Sequence, residues 1–196
     1  MNFRKNLADA WRSYLTAPAH LSLVALLSLL LIPTIILTGP GMLLLCGAAR
    51  AVRRGEKPGL ATVKNAFAGF PDDYVIGIAY AFSVLVFVPT FIGWMIAAVI
   101  LGPVFIIRSE NAASRGAGIV ETFREAASTC GAHPGDAVPA AFAIIALNLV
   151  AAFGGVIGLL VTLPVSALAL VQLWEQWSGG TGGQRVEQVY DFRSSL

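Results

Sequence analysis

The sequence predicts an all-α integral membrane protein with about six short transmembrane helices in three kinked hairpins, each preceded by a cytoplasmic amphipathic helix. Three observations predict it. First, the 196 residues are 57% hydrophobic and only 12% charged, with a mean hydropathy of +0.76, far more apolar than a soluble domain. Second, the charges fall in blocks. No Asp, Glu, Lys or Arg lies between Arg12 and Arg50, Asp73 and Arg108, or Asp136 and Glu175, which leaves uncharged stretches of 37, 34 and 38 residues. As single helices these would be about 51–57 Å long against a hydrocarbon core of about 30 Å, so each is read as two helices of about 17–19 residues. Third, three hairpins place both termini and both polar connectors on one side, together with all 13 Lys and Arg residues. One span per stretch would instead divide the basic residues six against seven, without the asymmetry expected of a membrane protein. The chain is therefore expected in a bacterial cytoplasmic (inner) membrane, multi-pass, with cytoplasmic N- and C-termini. An alternative makes residues 20–50 one kinked helix, giving five spans and placing Arg4, Lys5 and Arg12 outside.

The elements recur. Each stretch is entered through a proline, in "TAPAH" (Pro18), "GFPDD" (Pro71) and "AHPGD" (Pro134). Proline suits a first helical turn because its missing N–H is not needed there, and Asp72, Asp73 and Asp136 are expected to cap free amides. Outer turns are read at "IPTII" (Pro33), "VPTFI" (Pro89) and "FGGVI" (Gly154-Gly155). A second break follows within each returning helix, at Pro40 in "TGPGM", Pro103 in "LGPVF" and Pro164 in "TLPVS", spaced 63 and 61 residues apart.

Each hairpin follows a short amphipathic stretch: "FRKNLADAWRSYL", "LATVKNAFAGF" or "IVETFREAAST". In the first, Phe3, Leu7, Trp11, Tyr14 and Leu15 fall to one side at helical spacing, with Arg4, Lys5 and Arg12 elsewhere, as in helices that lie flat at a membrane interface. The organisation read from this is a single membrane domain over residues 1–177, made of three parallel repeats (about 1–58, 59–117 and 118–177). A flexible cytoplasmic tail over 178–196 follows, which is either disordered or a docking segment.

A proline inside a helix removes a hydrogen bond at a cost of about 3 kcal/mol, and in lipid the freed carbonyl needs another partner. Thr38 and Thr162 stand near enough to supply one. The three prolines are read as packing kinks, with an unwound ion or substrate site as the rival; the absence of an acidic residue beside them favours the kink.

The stretches "GPGMLLLCGAARAVRRGEKPGLATVKNAFAGF" and "GPVFIIRSENAASRGAGIVETFREAASTCGAHPGD" carry Gly-Pro, Arg-Gly and Phe-x-Gly-Phe elements, with a polar helix after the kinked span. In these the chain resembles a loose group of bacterial membrane proteins that includes the membrane domain attached to some glycerophosphoryl diester phosphodiesterases. The resemblance covers most of residues 3–177. It implies a six-helix membrane architecture and no catalytic residues. No phosphodiesterase segment lies within these residues, so that activity is not carried over.

Enzyme signatures are scarce. Two histidines, His20 and His133, are too few for a usual catalytic zinc site, and Cys130 with His133 in "CGAH" makes at most half of one. Cys46 is read as a small core hydrophobe, and two separated cysteines form no disulfide framework. His20 is read as an interfacial residue, with pigment or haem ligation as the alternative. No cofactor, metal or nucleic-acid partner is expected, because topology and anionic headgroups account for the basic residues. "MNFRKNLADAWRSYLTAPAH" does not read as a signal peptide, since Asp9 and an amphipathic segment precede the apolar run.

The deep polar candidates are Asn148, Ser83, Thr90, Thr162, Ser166 and Gln172. Asn148, alone in "IIALNLVAAF", is read as an interhelical hydrogen-bonding group, with solute contact as the rival. Gly154 and Gly158 form a small-xxx-small pair for close packing, either inside the bundle or against another subunit. Trp174 and Trp177 are read as aromatic anchors at the cytoplasmic boundary, and Trp94 as close to an outer turn. The expected partners are the lipid bilayer and either another membrane protein or a second copy of the chain. The function read from these features is a non-enzymatic scaffold or accessory subunit of a membrane assembly. The alternative is a channel or carrier for an apolar, zwitterionic or lipid-like solute.

Overall fold

In this computed structural model, which describes residues 3–31, 37–68, 72–86, 99, 101–109 and 118–178, nine helices and no strand are found among the described residues. Pro33, Pro71, Pro89, Thr90, Trp94 and residues 179–196 lie outside that set, as does the side chain of Ser83.

Helix α1 (Phe3–Thr16) ends at Ala17, where Pro18 opens α2 (Pro18–Leu31). A proline disfavours helical geometry in the residue before it, and here the chain bends by 100°. The face of α1 turned to the rest of the protein is Asn6, Ala10 and Tyr14, an i, i+4, i+8 row, while Trp11 and Leu15 stay exposed. The expected apolar face is therefore divided between the protein and its surroundings.

Helix α2 turns back against α3 (Thr38–Arg53), and Ser28 Oγ donates to the Gly41 carbonyl at 2.9 Å. In one continuous helix those positions would be about 20 Å apart, so α2 and α3 are two helices lying side by side. Helix α3 stops at Gly55, whose φ of +76° suits a residue without a Cβ.

Next come α4 (Leu60–Phe67), α5 (Asp72–Val86) and α6 (Gly102–Arg108). Helix α7 (Ile119–Ala132) meets α8 (Pro134–Phe153) at His133, with Pro134 in the first turn of α8. Helix α9 (Gly155–Trp177) returns along α8 through Gly154 and Gly155, the latter at a φ of +67°. At 20 and 23 residues, α8 and α9 rise about 30 and 35 Å and are long and apolar enough to cross a membrane. The bent α1–α2 pair makes a third candidate if it counts as one span.

Helix α3 occupies the centre, packed by α2, α4, α5, α6 and α9. Its buried Leu43, Leu44 and Leu45 join Val104, Phe105 and Ile106 of α6 and Val165, Leu168 and Val171 of α9 in one core. Contact with α5 is closer still. A Cβ on Gly77 would overlap the Gly39 backbone, and one on Gly39 would overlap the Asp73 carbonyl, so the two helices cross with their backbones touching.

Several expectations change against this architecture. Pro40 stands in the first turn of α3, where the missing N–H leaves no interior bond unmade, whereas Pro103 comes just after Leu101, which is wound as π-helix, so it marks a change of helical winding at the start of α6. Pro164 lies inside α9, and Pro139 is a second interior proline, in α8. Trp174 is buried among core residues at 3% exposure, so it is a packing residue and not a boundary anchor.

Candidate functional site

Helices end with unpaired carbonyls that favour nearby cations, and α3 and α6 both carry arginine in the last turn. These arginines tie neighbouring helices together. Arg50 of α3 donates through Nη2 to the Ile106 carbonyl of α6 at 2.9 Å and through Nε to Ser109 Oγ at 3.1 Å. Arg53, one turn on, reaches Glu175 of α9, with Nη2 at 2.7 Å and Nε at 2.8 Å from the same carboxylate oxygen. Arg108 of α6 donates through Nε to Asp73 Oδ1 at the start of α5, with both side chains 1% exposed. Its Nη2 lies 3.7 Å from Asp72 Oδ2, on a half-exposed carboxylate.

Asp73 was expected to cap the free amides of its helix. Instead its Oδ1 takes the arginine, and its Oδ2 has no hydrogen-bond partner in the structure. A buried guanidinium without a carboxylate would bear the full desolvation penalty, which explains why the pair forms. The sequence marked Asp73 and Arg108 as the limits of an uncharged stretch and Asp73 as a cap, without pairing the two. That two opposite charges border one apolar stretch was itself the available signal, since each needs a partner if it is buried.

A second polar group joins α1 to α9. Asn6 Oδ1 accepts from Gln172 Nε2 at 3.2 Å and from Gln176 Nε2 at 3.1 Å. Nothing in the one-dimensional pattern linked positions 166 and 170 residues apart. At the α7–α8 junction the His133 ring stacks on Trp177 with centroids 5.8 Å apart. Cys130, on α7, sits 3.2 Å from the Val99 carbonyl, and burial pushes its thiol pKa up.

Among the residues singled out from sequence, Asn148 of α8 donates through Nδ2 to Ser166 Oγ of α9 at 2.8 Å and to the Ile144 carbonyl at 2.9 Å, leaving Oδ1 without a partner. Thr162 Oγ1 donates to the Gly158 carbonyl at 3.2 Å, an i−4 bond within α9. Gly154 and Gly158 lie at the α8–α9 turn, where a Cβ on Gly158 would overlap the Ala151 carbonyl. That glycine is therefore used inside the chain. His20 is exposed on α2. Among the described residues no group of three His, Cys, Asp or Glu side chains is placed to hold a metal ion.

No family model matches the chain, and no curated sequence or solved structure matches it either. The arrangement of its own side chains therefore carries the functional reading. Chemically, the arginine clasp is a set of internal bonds between helix ends, with Asp72 and Glu175 partly exposed at its edge.

Proposed function

We propose that the chain is a polytopic protein of a bacterial cytoplasmic membrane, with six short spans in three hairpins, acting as a non-enzymatic scaffold or accessory subunit of a membrane assembly. One observation carries this reading. The returning helices α3, α6 and α9 share one apolar core, and Arg50 and Arg53 join their C-terminal ends by hydrogen bonds and an ion pair. Such a trio is rigid at its centre and leaves other helices free to face lipid or a partner. The outer surface of α8 and the start of α9 is correspondingly apolar, with Phe142, Leu149, Val150, Phe153 and Ile157 all exposed.

The order of elements supports the three-unit organisation, since α1, α4 and α7 each precede an outgoing and a returning helix. Both termini and the arginine clasp then lie on the cytoplasmic side, in accord with the distribution of Lys and Arg. The alternative is a channel or carrier for an apolar, zwitterionic or lipid-like solute. It is favoured by Asn148 Oδ1, a buried acceptor without a partner in the second half of a membrane-length helix.

Extraction of the native protein in mild detergent, followed by native mass spectrometry and absorption spectroscopy, tests the proposal. A stoichiometric protein partner is the expected result. A particle holding this chain and lipid alone would sink the accessory-subunit reading. Transport that falls sharply in Asn148→Leu reconstituted into vesicles would establish the alternative.

A further inference from the structure

Beside α1 the helices leave a groove of about 410 Å³, lined by Leu7, Ala8 and Trp11 of α1, Leu147 of α8, and Val161, Thr162 and Val165 of α9. Its size lies within the range of small-molecule sites, but its lining is almost wholly apolar. The one hydroxyl on its wall, that of Thr162, is already committed to the Gly158 carbonyl. The groove therefore offers nothing to a polar solute and suits a hydrocarbon chain.

Charge stands at its edge. Ala8 lines the groove, and Lys5 and Arg12 are its i−3 and i+4 neighbours, so the two cations lie on the same side of α1 as the groove margin. Both side chains are exposed, Arg12 at 82% and within 3.8 Å of Asp9 as a loose ion pair. An exposed pair at that distance leaves the guanidinium available to a stronger anion. Next to them Trp11 and Leu15 are exposed on α1 at 45% and 55%, the amphipathic pattern of a helix seated where headgroups meet acyl chains.

We infer that this groove is a binding site for one anionic phospholipid, with an acyl chain between α1, α8 and α9 and the headgroup phosphate on Lys5 and Arg12. The inference rests on the reading that the chain spans a membrane. The bound lipid would fill the space between the N-terminal helix and the membrane-length hairpin. It would make the seating of α1 depend on the anionic lipid content of the membrane.

The test uses the full chain, purified and depleted of lipid in detergent, then offered phosphatidylglycerol or phosphatidylcholine and examined by native mass spectrometry. One phosphatidylglycerol is expected to stay bound at collision energies that strip the others, in preference to phosphatidylcholine. Ala8→Phe, at an exposed position on the groove wall, is expected to reduce that adduct several-fold without changing thermal stability, and Val161→Phe should do the same from the opposite wall. Lys5→Gln with Arg12→Gln is expected to abolish the preference for phosphatidylglycerol while some adduct of either lipid remains. A retained adduct insensitive to both groove-filling variants, or an equal preference for the two lipids in the unaltered chain, would overturn the inference. Alkaline carbonate washing of membranes separates this failure from failure of the reading beneath it. A chain released by the wash would remove the membrane-spanning reading itself, whereas a chain retained by the wash but blind to groove filling would remove only the lipid site.

Discussion

Asp73 and Arg108, 35 residues apart, meet as a buried ion pair at the start of α5 and the end of α6. They are the two charges that bracket the second uncharged stretch. A straight helix between them would hold them about 50 Å apart, so their contact brings the start of α5 to the end of α6. Removing one member of a buried pair leaves the other uncompensated, at about 3–5 kcal/mol. Arg108→Met is therefore expected to lower the midpoint of thermal unfolding in detergent by many degrees. Asp73→Leu combined with Arg108→Met is expected to recover most of that loss, since an apolar pair of similar volume is tolerated. A double variant as unstable as the single one would show that the charges have some other role.

The crossing of α3 and α5 leaves no room for a side chain at Gly39 or Gly77. Gly77→Val is expected to separate the helices and cost about 1–3 kcal/mol or more, as overpacking does. The check is the yield of monodisperse protein after extraction, together with its thermal midpoint. Gly131→Ala, on α7 with open space where its Cβ would stand, is the control and should leave both unchanged.

Between α8 and α9, Asn148 and Ser166 form an interhelical hydrogen bond of 2.8 Å. Such bonds contribute about 0.6–2 kcal/mol in membrane proteins. Asn148→Leu should therefore cost about 1 kcal/mol in stability. Measured against Ser166→Ala in a double-mutant cycle, the two changes should be strongly non-additive. Additive losses would mean that the bond contributes nothing.

Burial raises the Cys130 thiol pKa, so at neutral pH its reactive thiolate fraction lies below that of an exposed cysteine and grows as pH rises through the raised value. Maleimide labelling of Cys130 is expected to be slow at pH 7 and to accelerate more steeply towards alkaline pH than labelling of Ser128→Cys, an exposed position two residues away. In intact cells, the proposed cytoplasmic placing of α7 predicts that a membrane-impermeant reagent reaches Ser128→Cys only after permeabilisation. Labelling of that position from outside would reverse the proposed orientation.

Much of the fold was legible because bilayers impose one-dimensional rules. The run without charge from Asp136 to Glu175, broken at Gly154-Gly155, marks the α8–α9 hairpin directly, since length, apolarity and a turn residue are all local properties. Pro18 and Pro134 likewise announced helix starts. The second prolines were harder. Pro40 has the same neighbours as an interior kink would, and only the placing of Thr38 at a helix start puts it in a first turn, while Pro103 does stand where π-helical winding at Leu101 gives way to α6. Of the candidate site, Asn148 and Gly158 stood out as unusual residues in apolar runs. The arginine clasp did not, because a boundary arginine that faces lipid headgroups and one that bonds a neighbouring helix occupy the same kind of sequence position.

By itself the sequence determined the all-helical, apolar character of this protein, the segments without charge and several of the places where helices begin. Each follows from the chain's own composition and from the free energy of placing polar groups in hydrocarbon. The tertiary structure alone decided which helix touches which. It decided that Arg50 serves Ile106 and Ser109, that Arg53 serves Glu175 and Arg108 serves Asp73, that Asn6 serves two glutamines, and that Trp174 is core while Trp11 is exposed. The reason is physical. Periodicity specifies that a helix has an apolar face, but the partner for that face is chosen by close packing and by pairing of buried polar groups across distances the sequence pattern does not encode.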